Sequence, residues 1–391
     1  MAYMISFDNT EIAFRSKSKW QLRKAYYLFK LMGQPLLSKL GGHIAYVALK
    51  MHLPITRLIK KSVFQQFCGG ESIEKCSHTI EKLAKHNITT ILDYSVEGKA
   101  SESDFKKTME ETIAMLNFAH KNQNIPFVVF KTTGLVRFKL LEKANLGEKL
   151  NTEEQQEYDR AIHRINKICK KAHQYKIPIM IDAEESWIQD AIDSIVETMM
   201  NNFNKEQAIV YNTLQMYRHD RLDYLKKLHE DSKEKGYFIG VKLVRGAYLE
   251  KENNRAKKMG YPTPIQPNKI ACNQDYDIAL EYICEHIHGI SICAGTHNEK
   301  SSAFLVQLMK NNRIEKNNPK IYFAQLLGMS DHISYNLANK GYNAVKYVPY
   351  GPVKDVLPYL MRRAEENTSI AGQTGRELNL IEQEIKRRKS N

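Results

Sequence analysis

The sequence predicts an α/β protein, an eight-stranded parallel (βα)8 barrel with a helical arm on its amino-terminal side. Three observations predict it. Short apolar, β-prone runs recur from about residue 89 onward, and there are eight of them. Polar stretches of crossover length with helical periodicity separate them, and residues 1–87 lack the alternation altogether.

Residues 1–87 read as the helical arm, with loops around Gly33-Gln34-Pro35 and Cys68-Gly69-Gly70. Within it, RSKSKWQLRKAYYLFK (15–30) mixes basic with aromatic and aliphatic residues at roughly helical spacing. Such a helix either caps the main domain and turns a basic face outward, or lies on an anionic membrane surface. The apolar stretch 43–61 contains Lys50, His52 and Pro54, so neither a transmembrane helix nor a secretory signal is expected there.

The barrel domain, 88–391, takes its strands in order from TTILDYS (89–95), FVVFKTTG (127–134), PIMIDAEES (178–186), AIVYNTLQMY (208–217), FIGVKLVRGAY (238–248), ISICAGTHN (290–298), KIYFAQLLGM (320–329) and NAVKYVPYG (343–351). Each is nearly continuously apolar, as a strand covered on both faces must be. Between them, 102–123, 153–175 and 218–236 place apolar residues every three or four positions with charge between, the mark of a helix with one buried face. No run leads into a GxGxxG turn, which argues against a Rossmann sheet. The closing KRRKSN reads as a frayed tail.

Composition narrows the function. Hydrophobic residues are 42% and charged residues 26% of the chain, which disfavours disordered and membrane-spanning classes. The net charge of +14 calls for an acidic partner: nucleic acid, anionic lipid or a polyanionic cofactor. No nucleic-acid-binding module is recognisable, so no nucleic acid is expected. The six cysteines form no CxxC pair and no zinc spacing, and read as reduced packing thiols of a cytoplasmic protein without a metal.

In a barrel of this kind the chemistry gathers at the carboxyl ends of the strands. Those ends supply Asp93, Lys131, Asp182 with Glu184, Gln215, Lys242 with Arg245, His297, Gln325 and Tyr347. Lys131, Lys242 and Arg245 make the mouth cationic, and Arg362-Arg363 in the final helix add two planar forks matched to a carboxylate. Arg245 with Gly246-Ala247 suits a pyrophosphate, and Asp182 among such cations is expected to be ionised. Strand-end lysines (Lys131, Lys242, Lys346) also permit Schiff-base lyase chemistry.

The ordered segments IDAEE, LQMY, VKLVRGAY, THNE, FAQLLGM, YVPYG and YLMRRAEEN resemble those of flavin-dependent proline dehydrogenases from about residue 60 to 380, closer to the mitochondrial type than to the bifunctional bacterial proteins. The resemblance implies a distorted, TIM-like (βα)8 barrel whose last helix lies across the mouth. It implies FAD as cofactor, L-proline as substrate and a quinone as electron acceptor. The product is Δ1-pyrroline-5-carboxylate, formed by hydride transfer from proline C5 to flavin N5. By the same resemblance Lys131, Arg362 and Arg363 hold the substrate carboxylate, while Tyr347, Tyr248 and Leu326 surround the proline ring. Asp182 and Lys242 take the catalytic positions, lysine standing where many relatives have arginine. Ala183, Gln215, Lys242, Arg245, Gly246, Ala247, Thr296 and His297 match FAD-binding positions. Glu366 is grouped with them, and lies four residues from Arg362, where it can pair with it. Tyr347 leaves little room for a 4-hydroxyl, so proline is expected over trans-4-hydroxyproline. Hydroxyproline dehydrogenase is the alternative. Passing electrons to a quinone calls for a peripheral contact with the inner face of a membrane, for which 15–30 is the candidate.

Overall fold

The computed structural model describes residues 5–34, 56–95, 101–369 and 373–390, without the side chains of Thr56, Leu58, 364–369 and 373–374. Eight parallel strands close a barrel in sequence order: β1 (Ile88–Tyr94), β2 (Phe127–Lys131), β3 (Ile179–Asp182), β4 (Val210–Gln215), β5 (Ile239–Val244), β6 (Ile290–Gly295), β7 (Ile321–Leu326) and β8 (Ala344–Tyr350). All eight runs expected from sequence are strands, and each run overshoots its strand at the carboxyl end. The overshoot has a physical reason. Residues such as Thr132–Gly134, a 3-10 turn, are apolar or β-prone enough to extend a sequence run, yet they leave the sheet to form its loops.

The chain groups into two compact units, Gly98–Ala324 and Ile5–Glu97 with Gln325–Asn391. The first holds β2 to β6 and most of β7, with helices α4 (Glu102–His120), α5 (Phe138–Asn145), α6 (Thr152–Tyr175), α7 (Ser186–Phe203), α8 (Arg221–Lys235), α9 (Leu249–Met259), α10 (Lys269–Glu285) and α11 (Glu299–Asn311). Local sequence starts and stops these helices. Ser101 with Asp104, and Asn151 with Glu154, form capping boxes, and Gly236 ends α8 at φ +63°. Buried Asn204 pins the start of β4: its Oδ1 accepts from the Ile209 and Val210 amides and its Nδ2 donates to the Val210 and Phe238 carbonyls.

The second unit holds β1 paired with β8, and helices α1 (Thr10–Phe14), α2 (Lys19–Met32), α3 (Ser77–Ala84), α12 (Asp331–Asn339), α13 (Leu357–Ser369) and α14 (Gln373–Ser390). Leu22, Ala25 and Phe29 of α2 bury against Ala13, Phe14, Leu380 and Ile381, so the basic segment 15–30 packs on the terminal helix. Its other face is open: Trp20, Tyr27 and Leu31 are 66%, 68% and 55% exposed.

The expected frayed tail is instead the end of α14. Arg388 donates to the Phe14 and Lys17 carbonyls at 2.9 and 2.6 Å, and both Arg387 and Arg388 bond Glu384, which also accepts from Thr10 Oγ1. Its charge-rich sequence masked a stripe of Leu378, Ile381 and Ile385 at helical spacing. No described helix is long and apolar enough to cross a membrane, and most of the stretch 43–61 lies outside the described residues.

Candidate functional site

In the first unit, register alone places Lys131 and Asp182 side by side at the ends of β2 and β3. Lys242, on β5, reaches across β4 to ion-pair with Asp182, and both side chains are largely buried at 8% and 13% exposure. A pair withdrawn from water in this way is held by mutual charge, and losing one member leaves the other uncompensated.

The loop after β3 is tied on every side. Glu184 accepts from the Thr133 amide at 2.9 Å and the Thr133 hydroxyl at 2.5 Å, locking the turn that follows Lys131. Its amide donates to Gln189 Oε1 and its carbonyl accepts from Gln215 Nε2 at 2.7 Å. Gln215 Oε1 in turn accepts from the Ala247 amide at 3.4 Å. Glu185 pairs with Lys251, and Ser186 bonds Glu252 through both amide and hydroxyl. Burial pushes the Glu184 carboxyl up to about 7, against the opposing pull of Lys131 and the Thr133 bonds. Ala183 is buried within this loop.

Arg245 leaves β5 with every arm of its guanidinium engaged. Nε donates to Asn273 at 2.8 Å, Nη1 to Thr296 at 2.6 Å and Nη2 to Ser301 at 2.9 Å, while the plane lies 4.2 Å from the Tyr276 ring centre. Gly246 follows at φ +135°, and a Cβ there would meet the Tyr217 ring at 2.5 Å, so the position requires glycine. Gly246 and Ala247 are exposed, and Tyr248 is half-buried at the start of α9. Thr296 and half-buried His297 lead into α11, whose N-cap is Asn298. A fixed guanidinium and the exposed small-residue backbone of Gly246-Ala247 form a donor set that fits a phosphate-bearing cofactor.

In the second unit, Leu326 ends β7 and the Leu327 amide donates to the Tyr347 carbonyl at 2.9 Å, which sets Leu326 beside half-buried Tyr347 of β8. Leu326 also packs on the apolar cluster of Met329, Val353, Val356, Tyr359 and Leu360, so α13 is seated on the same ground. On α13, Arg363 is buried with its guanidinium 5.0 Å from the Tyr359 ring centre, and Arg362 is half-buried. Arg363 is thus not part of a solvated basic helix face. The side chain of Glu366 lies outside the described residues, and so does its expected pairing with Arg362.

The sequence reading missed Thr133, Asn273 and Ser301, the polar partners that hold the first unit's loops. Nothing in their spacing marks them, since each acts on a residue far away in the chain. A cavity of about 510 Å³, lined by Phe127, Tyr211, Phe238, Lys320 and Tyr322 among others, opens at the strands' amino ends and contains none of the expected site residues. Among the described residues no group of three or more His, Cys, Asp or Glu is placed to hold a metal ion.

Comparison with known proteins places these features in context. The proline dehydrogenase family profile matches residues 76–376. The chain is 32% identical to "Proline dehydrogenase 1, mitochondrial" of Dictyostelium discoideum, over 97% of this chain and 74% of that protein. It is 28% identical to "Hydroxyproline dehydrogenase" of Xenopus laevis, over 98% of this chain and 90% of that one. Among solved structures, proline utilization A from Bdellovibrio bacteriovorus inactivated by N-propargylglycine superposes with a TM-score of 0.73 at 19% identity. That match covers 92% of this chain but only 38% of the larger one, and it concerns the fold.

Proposed function

The chain belongs to the proline dehydrogenase family of oxidoreductases, and from that premise we propose that it oxidises L-proline to Δ1-pyrroline-5-carboxylate and passes the electrons to a quinone, the first step of proline catabolism. The observation that carries the proposal is the buried Lys242–Asp182 pair beside Lys131 at the strand ends, next to the donor set of Arg245 and the exposed Gly246-Ala247 backbone. FAD, when bound, supplies the acceptor for the hydride that leaves proline C5.

Each residue then has a task that its surroundings support. Arg245, Thr296, His297, Gln215 and the 246–247 backbone hold FAD, with Ala183 and Lys242 alongside. Lys131, Arg362 and Arg363 bind the proline carboxylate, each charge-assisted bond contributing roughly 1.5–3 kcal/mol. Gripping a small ring by its carboxylate aims C5, and orientation of this sort removes several kcal/mol from a barrier. Tyr347, Leu326 and Tyr248 bound the ring and exclude water. Asp182 balances Lys242, and the surrounding cations favour the neutral amine that the oxidation needs.

For the quinone to be reached, the outward face of α2 rests on an anionic membrane. Trp20, Tyr27 and Leu31 form one exposed stripe, with Lys19, Arg23 and Lys30 on the same helix. Replacing the three apolar residues with Ser abolishes co-sedimentation with phosphatidylserine-containing vesicles if this face is the contact. Undiminished binding would exclude it.

The test of the activity is anaerobic addition of L-proline to the purified flavoprotein. Rapid loss of flavin absorbance with proline, and weak loss with trans-4-hydroxyproline, is the expected result. No bleaching by either overturns the proposal, and stronger bleaching by hydroxyproline reassigns the substrate.

A further inference from the structure

The second unit contains a largely buried cluster of four ionisable side chains that has no direct part in the chemistry above. Lys346 of β8 is 1% exposed; its ammonium lies 2.9 Å from Asp331 Oδ1 and donates to the Met329 and Leu326 carbonyls at 2.5 and 3.4 Å. Asp331, the first residue of α12, takes Lys17 on its other oxygen at 3.0 Å. Glu377 of α14, 3% exposed, accepts the Ser330 amide on both carboxylate oxygens at 3.0 and 3.2 Å. Ser330 itself stands at φ +50°, a backbone that a serine adopts only when its surroundings hold it there. Two lysines and two carboxylates thus meet at one turn.

Burial alone would raise Asp331, but Lys17 and Lys346 outweigh it and hold the carboxyl well below the usual range. Stability does not explain such an arrangement, because well-packed apolar residues of similar volume often do as well or better than buried ion pairs. What the charges add is a defined geometry, and the geometry they define is that of residues 326–331. Lys346 grips that turn by two carbonyls, Glu377 grips it by an amide, and the Leu327 amide is bonded to the Tyr347 carbonyl beside it. Leu326 and Tyr347, at the two sides of this turn, are residues assigned above to the proline ring. The cluster draws its members from near both ends of the chain, Lys17 and Glu377.

We propose that Lys17, Asp331, Lys346 and Glu377 form a positioning cluster that fixes Leu326 against Tyr347 and so sets which ring the pocket accepts. The loop between α1 and α2, which carries Lys17, and helix α14 thereby contribute to substrate selection without touching substrate. This inference rests on the pocket assignment of Leu326 and Tyr347.

The experiment compares Lys17→Met, Glu377→Gln and Lys17→Arg in the full chain, with Tyr347→Ser alongside, by flavin content, KM and kcat for proline, and the kcat/KM ratio of proline to trans-4-hydroxyproline. Lys17→Met and Glu377→Gln are expected to keep flavin, raise KM about three- to tenfold with little change in kcat, and narrow the ratio; Lys17→Arg restores both. Lowered melting temperature with KM and ratio unchanged overturns the proposal and leaves a merely structural cluster. If Tyr347→Ser shifts the ratio while the cluster variants do not, the cluster proposal alone fails. If Tyr347→Ser also leaves the ratio unchanged, the pocket assignment fails with it.

Discussion

Replacing Glu184 with Gln should abolish a specific loss of stability at neutral pH. Glu184 is 4% exposed, and burial raises its carboxyl to about 7 from an ordinary value near 4.5. The folded protein therefore keeps a proton that the unfolded chain has released. Wherever the folded state binds more protons, stability falls as pH rises. Below the unfolded value both states are protonated and nothing is lost; the loss accumulates between about 4.5 and 7 and then levels off. At roughly 1.4 kcal/mol for each pH step across that window, the total is about 3 kcal/mol by pH 8. Gln keeps an oxygen for the Thr133 amide and can donate to the Thr133 hydroxyl, so the turn after Lys131 survives the change. The assay is urea denaturation of both proteins from pH 4.5 to 8. The two should be alike at the acid end, with the variant more stable by about 3 kcal/mol at pH 8. Because other raised carboxyls such as Asp190 and Glu197 titrate in both proteins, the informative quantity is the difference between the curves. Parallel curves across the whole range would refute the reasoning, since they would mean that Glu184 ionises in the folded protein as easily as in the unfolded one.

Three further outcomes are expected. On the proposed carboxylate grip, Arg362→Met and Arg363→Met each remove charge-assisted bonds, and KM for proline should rise by about ten- to a hundredfold in steady-state assays with flavin content unchanged. On the proposed ring pocket, Tyr347→Ser should lower kcat/KM for proline and narrow its ratio to that for trans-4-hydroxyproline, as measured with both substrates side by side. Lys242→Met strands the Asp182 charge in a buried site and should cost about 3–5 kcal/mol in denaturation, most of it recovered by adding Asp182→Asn, with activity recovered by neither.

How far these features could be read from sequence depends on the range of the interaction involved. A strand covered on both faces is written locally, as a run of apolar residues, so all eight strands and their order were visible. The residues at their carboxyl ends were visible too, because barrel topology gives each strand end a common address. Helix α14 was hidden because charge dominated its composition and its apolar stripe is narrow; only packing against Phe14, Leu22 and Phe29 shows what the stripe is for. The basic segment 15–30 had two readings. The structure shows one face of α2 buried on α14 and another exposed, a division that depends on a helix more than three hundred residues away.

The sequence by itself determined the strand succession, the cationic character of the strand ends and the motif residues that carry the family. The tertiary structure decided which charges meet. Lys242 finds Asp182 across an intervening strand, Arg245 is parted among Asn273, Thr296 and Ser301, and Lys346 shares Asp331 with Lys17. Charge and hydrogen bonding act through space over a few ångströms, while a sequence records only neighbours along the chain. Which side chains come within that distance is settled when the strands take their register and the helices pack.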